Sequence, residues 1–278
     1  MKIFHTIHEL RSALDQCDQT KIGFVPTMGA LHAGHRSLVE RARKENETVV
    51  VSVFVNPTQF NDPNDLRSYP RTPESDARLL EDAGADFVLM PSVEEIYPTP
   101  DTRTFDFGLV DKVMEGASRP GHFNGVAQVV SRLFEIVRPA RAYFGEKDFQ
   151  QIAIIKAMVE QLRLPVEIVE CTIIREEDGL ARSSRNVLLD KQHRAAAPHI
   201  YASLAACIEQ SHSLLPAELT AWVITEVERN PLLKVVYFNV VDAQTMQTVT
   251  SWSDCDRIQG CITVQVGNVR LIDNIRLR

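Results

Sequence analysis

Cysteine is scarce in this sequence. The five residues, Cys17, Cys171, Cys207, Cys255 and Cys261, are scattered, odd in number and free of any C-x-x-C pair. That pattern excludes a disulfide framework and a zinc knuckle, and it implies a reducing compartment. Long apolar runs are also missing. The most apolar stretch, Val49–Val55, is seven residues long, far below the ~20 needed to cross a bilayer. Met1–Leu14 lacks the continuous apolar core and small-residue cleavage site of a secretory signal, so no membrane partner is expected and the chain reads as cytoplasmic. Basic residues form no dense block. The 30 Lys and Arg stand against 37 Asp and Glu, a net charge of −7, which disfavours broad nucleic-acid binding. A small anionic ligand needs only a few local donors and stays open.

What is present is an average globular composition over 278 residues, 44% hydrophobic and 24% charged, enough for a large core and for more than one compact unit. Lys21–Pro26 reads as a strand, followed by a turn and a helix ending near Lys44, and Thr48–Val55 as a β-branched strand covered on both sides. The alternation continues with a helix at Pro73–Ala83, a strand at Phe87–Met90, a helix at Val126–Val137, a strand at Ala142–Phe144, a helix at Phe149–Leu162 and a strand at Val166–Cys171. Strands alternating with helices predict an α/β, doubly wound parallel sheet of Rossmann-like type. Beyond Ile174 the pattern changes to helices at Asp190–Gln210 and Pro216–Glu228, then strands at Lys234–Val241 and Ile262–Val266. A smaller α+β carboxy-terminal domain, 175–278, is therefore expected after a first domain of 1–174.

The densest chemical signal is Pro26-Thr27-Met28-Gly29-Ala30-Leu31-His32-Ala33-Gly34-His35, placed where the first of these strands meets its helix. The carboxyl edge of an open parallel sheet is where ligands bind, and a helix start offers unpaired N–H groups and a positive dipole end to an anion. Gly29 and Gly34 allow tight turning and close backbone approach, while His32 and His35 share the first helical turn. Phosphate handling is one reading and a pair of hydrogen-bonded structural histidines is another. A zinc site would need a third ligand, and none follows at convincing spacing.

The H-x-G-H segment resembles the signature of the nucleotidyltransferase superfamily that includes the class I aminoacyl-tRNA synthetases. Further blocks narrow the likeness: Phe54-Val55-Asn56-Pro57-x-Gln59-Phe60, Tyr69-Pro70-Arg71-Thr72, Glu115 to Phe123, Phe144-Gly145-Glu146-Lys147-Asp148-Phe149-Gln150-Gln151, Ser183-Ser184-Arg185-Asn186 and the ending Arg270-Leu271-Ile272-Asp273-Asn274. In this order they closely resemble the pantothenate synthetase (pantoate–β-alanine ligase) family. The resemblance implies adenylation of the pantoate carboxylate by ATP, with release of pyrophosphate, followed by attack of the β-alanine amine and release of AMP. The alternatives are another nucleotidyltransferase of that superfamily, which has no reason to carry the paired glutamines, and a non-catalytic nucleotide-binding protein.

The resemblance also implies roles. Met28, Gly29, Ala30, Leu31, His32, Ala33, Gly34 and His35 contact ATP, with His32 and His35 steadying its phosphates and His35 in the proton-donor position. Gly145, Glu146, Lys147 and Asp148 form a second ATP-binding block in which Lys147 binds phosphate, and Ile174 falls at the adenine. Ser183, Ser184 and Arg185 occupy the mobile phosphate clamp; preceding them, Arg182 replaces the family's usual Leu or Met and is expected to add positive charge. Gln59 and Gln151 bind pantoate. Arg119 and His122 are either substrate contacts or loop-structural residues, and Asp76 and Asp148 are candidates to hold Mg²⁺ through water, with no dedicated metal site. Closure of the carboxy-terminal domain over ATP and a homodimer are further implications.

Overall fold

A computed structural model describes residues 1–278. The chain divides into two compact units, one of residues 1–107, 118–146 and 154–172, the other of 108–117, 147–153 and 173–278. The expected division at 174/175 is a single linear boundary, whereas two short segments from within 1–174 group with the second unit. Their apolar side chains explain it: Met114 and Phe149 share a buried cluster with Val241, Met246 and Cys261.

The first unit starts with β1 (Lys2–Phe4), α1 (Ile7–Leu14), β2 (Ile22–Thr27), α2 (Ala33–Glu45), β3 (Thr48–Val53), α3 (Pro63–Ser68), α4 (Pro73–Asp82), β4 (Phe87–Leu89) and α5 (Val93–Ile96). After the short α6 (Met114–Ser118) come α7 (His122–Val137), β5 (Arg141–Gly145), α8 (Phe149–Gln161) and β6 (Glu167–Cys171). The six strands form one sheet in the order β1-β4-β3-β2-β5-β6, every pair parallel. The doubly wound expectation holds. The β-branched run of β3 is buried at Val49, Val50 and Val51, with Val49 and Val51 in a core that also takes Val25, Leu38, Val39, Leu80 and Val88. From β2 the chain winds through β3 and β4 to one side and returns through β5 and β6 to the other. The switch point therefore lies at the carboxyl ends of β2 and β5, where Met28–His35 and Gly145–Glu146 follow directly.

Two local differences from the sequence reading concern this unit. The amino terminus carries β1, an edge strand of three residues with an exposed face, which the sequence reading does not include among its strands. α7 begins at His122, not Val126, because Gly121 takes φ +81° at its N-cap and Arg138 closes the helix at φ +50°.

The second unit contains α9 (Lys191–Ala196), α10 (His199–Gln210), α11 (Pro216–Glu228), β7 (Leu233–Asp242), β8 (Ile258–Val266) and β9 (Val269–Arg276). The predicted helix Asp190–Gln210 is two helices. Pro198 stands as N-cap of α10, where its missing N–H and ring break continuity. The three strands are antiparallel, with β8 in the centre, and their inner face packs on α10 and α11 through Leu204, Leu219, Val223, Phe238, Ile262 and Val264. No helix of the chain is long and apolar enough to cross a membrane.

Candidate functional site

In the first unit, β2 ends in a turn that places Gly29 at φ +80° and Ala30 at φ +51°. Positive φ at alanine costs of order 1–3 kcal/mol and persists only where surroundings enforce it. Asp76, from the first turn of α4, supplies the enforcement: its Oδ2 accepts from the Ala30 amide at 3.0 Å and its Oδ1 from the Leu31 amide at 2.8 Å and the Thr72 hydroxyl at 3.0 Å. A Cβ on Gly29 would stand 3.0 Å from Asp76 Oδ2 and 3.1 Å from Val53, so the positive φ favours glycine and the space beside it is tight. Asp76 is 2% exposed, and both carboxylate oxygens are engaged by the loop. Asp76 thereby shapes the H-x-G-H turn, and it also borders the cavity beside Met28 and Gly29.

His32 is the N-cap of α2. Its Nδ1 accepts from the Gly34 amide at 3.1 Å, while His35 Nδ1 accepts from the His32 amide at 3.3 Å, a reciprocal capping box. The rings lie 4.1 Å apart between centroids. Because each Nδ1 lone pair receives an amide hydrogen, each neutral ring carries its proton on Nε2. Protonating Nδ1 would break the cap. Both histidines are thus fixed as Nε2–H donors at the positive end of a helix dipole.

Gln59 is buried after Asn56-Pro57. Its Nε2 donates to Met28 Sδ at 3.0 Å and its Oε1 accepts from Asn56 Nδ2 at 3.3 Å, so the structure brings this predicted pantoate ligand onto the H-x-G-H loop. Arg119 and His122 contact the segment that carries Gln59. His122 Nδ1 donates to the Gln59 carbonyl at 2.8 Å, and Arg119 Nη1 donates to His122 Nε2 at 3.1 Å, a relay that pins the main chain carrying Gln59. Met28 and Gly29 also border an open cavity of about 330 Å³ walled by Val53, Phe54, Met90 and Arg71, a volume at the small end of ligand pockets.

Gly145, the last residue of β5, and Glu146 after it belong to the first unit, and the second unit carries the remaining predicted residues. Lys147, paired with Asp148 at 3.6 Å, and Ser183 line the same small cavity, together with Asp273. Residues 174–182 form a hairpin: Arg182 N donates to Ile174 O at 3.0 Å and Glu176 N to Leu180 O at 2.8 Å. It delivers Ser183, Ser184 and Arg185, with Arg185 N donating to Ser183 Oγ at 3.2 Å. The extra positive charge expected from Arg182 is compensated, since its Nη2 lies 2.8 Å from Glu176 Oε2. Gln151 is half-buried in the first turn of α8. Its neighbour Gln150 is the buried one, donating to the carbonyls of Val110 and Val113 and accepting from the Glu115 amide. Glu115 Oε1 in turn accepts from Tyr237, Thr263 and Arg270. Sequence reasoning gives none of these anchoring roles, because each joins residues far apart in the chain.

A doubly wound parallel sheet whose first turn beyond β2 presents H-x-G-H at a capped helix defines an α/β protein of the nucleotidyltransferase type. The family model for pantoate-beta-alanine ligase matches residues 2–276, and the chain belongs to that family. It is 57% identical to a pantothenate synthetase of Porphyromonas gingivalis over 282 residues, covering 99% of each chain. With the pantothenate synthetase of Bacteroides thetaiotaomicron it shares 55% identity over 280 residues, covering 100% of this chain and 99% of the other. The crystal structure of a pantothenate synthetase from Thermus thermophilus superimposes with a TM-score of 0.93 at 43% identity, covering 100% of this chain and 99% of that one. A pantoate-beta-alanine ligase from Francisella tularensis, complexed with beta-gamma ATP and beta-alanine, gives a TM-score of 0.83 at 36% identity, with coverage of 100% and 98%.

Proposed function

We propose that the protein condenses (R)-pantoate with β-alanine, using ATP and passing through a pantoyl adenylate. A carboxylate oxygen of pantoate attacks the α-phosphorus of ATP; the Pα–O–Pβ bond breaks and pyrophosphate leaves. The β-alanine amine then attacks the acyl carbon, a C–N bond forms, the C–O bond to the phosphate breaks, and AMP leaves as the amine loses a proton.

The observation that carries this reading is the H-x-G-H loop, in a chain of this family, with both imidazoles locked as Nε2–H donors. His32 and His35 meet the charge that builds toward pyrophosphate, and Lys147, Ser183, Ser184 and Arg185 donate to phosphate oxygens, arginine through a planar fork. Each well-aimed donor contributes roughly 2.7–4 kcal/mol to a charged transition state, and aligning pantoate with ATP contributes ~7–11 kcal/mol. A handful of donors therefore suffices without a covalent enzyme intermediate. Gln59 and Gln151 hold pantoate through amides that both donate and accept. Mg²⁺ enters with the triphosphate as part of the substrate, and Asp76 and Asp148 are the candidate carboxylates for its water shell. A homodimer and a cytoplasmic location complete the reading; sedimentation equilibrium tests the first.

Purified protein with ATP, Mg²⁺, pantoate and β-alanine is expected to yield AMP, pyrophosphate and pantothenate in equal amounts. Production of ADP, or no AMP from a folded sample, overturns the reading.

A further inference from the structure

Asp273 and Asn274, consecutive on β9, are nearly inaccessible, and the reaction described above makes no use of either. Each nonetheless grips one piece of the proposed phosphate-binding apparatus. Asp273 receives a two-pronged ion pair from Arg175, with Nη1 to Oδ2 at 2.6 Å and Nη2 to Oδ1 at 3.0 Å, and it accepts the Asn274 amide at 2.8 Å. Arg175 belongs to the first arm of the 174–182 hairpin. It donates to Gly179 O at 3.2 Å and lies with Cζ 3.6 Å from the centroid of the Tyr201 ring. Gly179 closes the hairpin at φ +90°, where a Cβ would stand 2.6 Å from Tyr201. The hairpin is thus held at its base by charge and at its tip by packing.

Asn274 holds the other piece. Its Nδ2 donates to the Lys147 carbonyl at 3.1 Å while its Oδ1 accepts from Gln259 Nε2 at 2.7 Å, which fixes the amide orientation. Lys147 lies in a short 3₁₀ turn, where few backbone bonds hold it, so this contact sets where the lysine stem begins. Lys147, Ser183 and Asp273 line one cavity of about 10 Å³, room for roughly one water.

We infer that Asp273 and Asn274 are positioning residues that register the lysine and the serine–arginine clamp to each other, so that both address the same phosphate group. The inference rests on the roles assigned above to Lys147 and to Ser183–Arg185. A hydrogen-bonded strand is a suitable common reference for donors carried on two separate segments. A buried arginine–carboxylate pair fixes both distance and plane, and an amide that both donates and accepts leaves one orientation.

The test uses the full chain, ATP–pyrophosphate exchange with pantoate and Mg²⁺, and calorimetric ATP binding. Asn274→Asp keeps the shape and the acceptor for Gln259 but replaces the donor to Lys147 with a second acceptor. Its KM and Kd for ATP are expected to rise at least ~10-fold, since misplacing a group by 1 Å costs up to ~10²-fold. Its KM for pantoate should stay within about twofold of the parent, because the loss falls on one substrate only. Arg175→Lys keeps the charge and loses the fork, and the same split is expected; if one variant fails to fold, the other decides. A role confined to folding would lower the thermal midpoint and leave both KM values of the folded enzyme unchanged, and that result overturns the inference. Lys147→Ala, measured alongside, separates two failures. If it weakens ATP while Asn274→Asp and Arg175→Lys do not, the positioning role is wrong and the clamp stands; if Lys147→Ala itself binds and turns over normally, the clamp assignment falls and the inference with it.

Discussion

Asp76 Oδ1 accepts the amide of Leu31 at 2.8 Å across 45 residues of sequence. This bond, with its companion to Ala30, converts a turn that alanine disfavours into the resting shape of the H-x-G-H loop. Asp76→Asn offers one oxygen where two are used and turns an NH₂ toward a backbone donor. Leaving a buried amide unpaired costs about 1–3 kcal/mol. The variant is expected to lose thermal stability and at least ~10-fold in pyrophosphate exchange, a loss of loop order of about 1.4 kcal/mol being a factor of ten. Parental exchange by a folded Asp76→Asn protein would show that the turn holds without its carboxylate.

His32 caps α2 through Nδ1, and the proposed function gives it a second, separable duty, donation through Nε2. Asparagine is a strong N-cap and alanine is not, a difference of about 1 kcal/mol. His32→Asn should therefore melt close to the parent while His32→Ala melts lower, and both should lose ~10²-fold or more in exchange, as when an oxyanion donor is removed. Recovery of activity in the asparagine variant would assign the histidine to capping alone.

Gly125 sits where α7 passes closest to the segment that carries Gln59. A Cβ there would stand 2.5 Å from Thr58 O and 2.9 Å from Gln59 Cα. Gly125→Ala must push that segment aside, at ~1–3 kcal/mol for overpacking. Steady-state kinetics should show KM for pantoate rising more than KM for ATP. An equal rise in both would detach Gln59 from pantoate.

Acid should loosen the loop before α6. Asp101 accepts from Arg103 Nη2 at 2.6 Å, and the Gln128 amide donates to the Asp101 and Arg103 carbonyls. The Arg103 guanidinium holds the Asp101 carboxyl below the usual carboxylate range. A carboxyl depressed in the fold adds stability that is complete above its unfolded value, about 3.9, and is lost as pH falls through the folded value. Arg103 is 38% exposed, so solvent screening keeps the contribution near ~1 kcal/mol or below. Urea titrations should find Asp101→Asn less stable than the parent near neutrality, with the gap closing below about pH 4; a gap constant with pH would refute the coupling.

The strand–turn–helix of residues 22–45 is legible in the sequence because its determinants are local: a β-branched neighbour strand, glycines at the turn, a capping residue at the helix start. β9 is not. Asp273 shares the face of Leu271 and is buried with it, which puts a charge where alternation requires an apolar group, while Asn274 on the opposite face is buried too; their partners Arg175 and Lys147 lie 98 and 127 residues upstream. Arg182 reads as added positive charge because its partner Glu176 faces it only once the hairpin is formed. Asp76 invites a metal role for the same reason. A carboxylate beside a phosphate motif has an obvious electrostatic use, and only the fold reveals that two amides donate to it as well.

The partition of the chain bears on how it can be cut and how it emerges from the ribosome. A fragment ending at residue 174 would retain Met114 and Phe149 but not Val241, Met246 or Cys261, which cover them; it would display bare hydrocarbon and tend to clump. During translation the same two side chains must wait, unsheltered, until the last hundred residues have been made, so the earliest-synthesised half cannot finish folding on its own schedule.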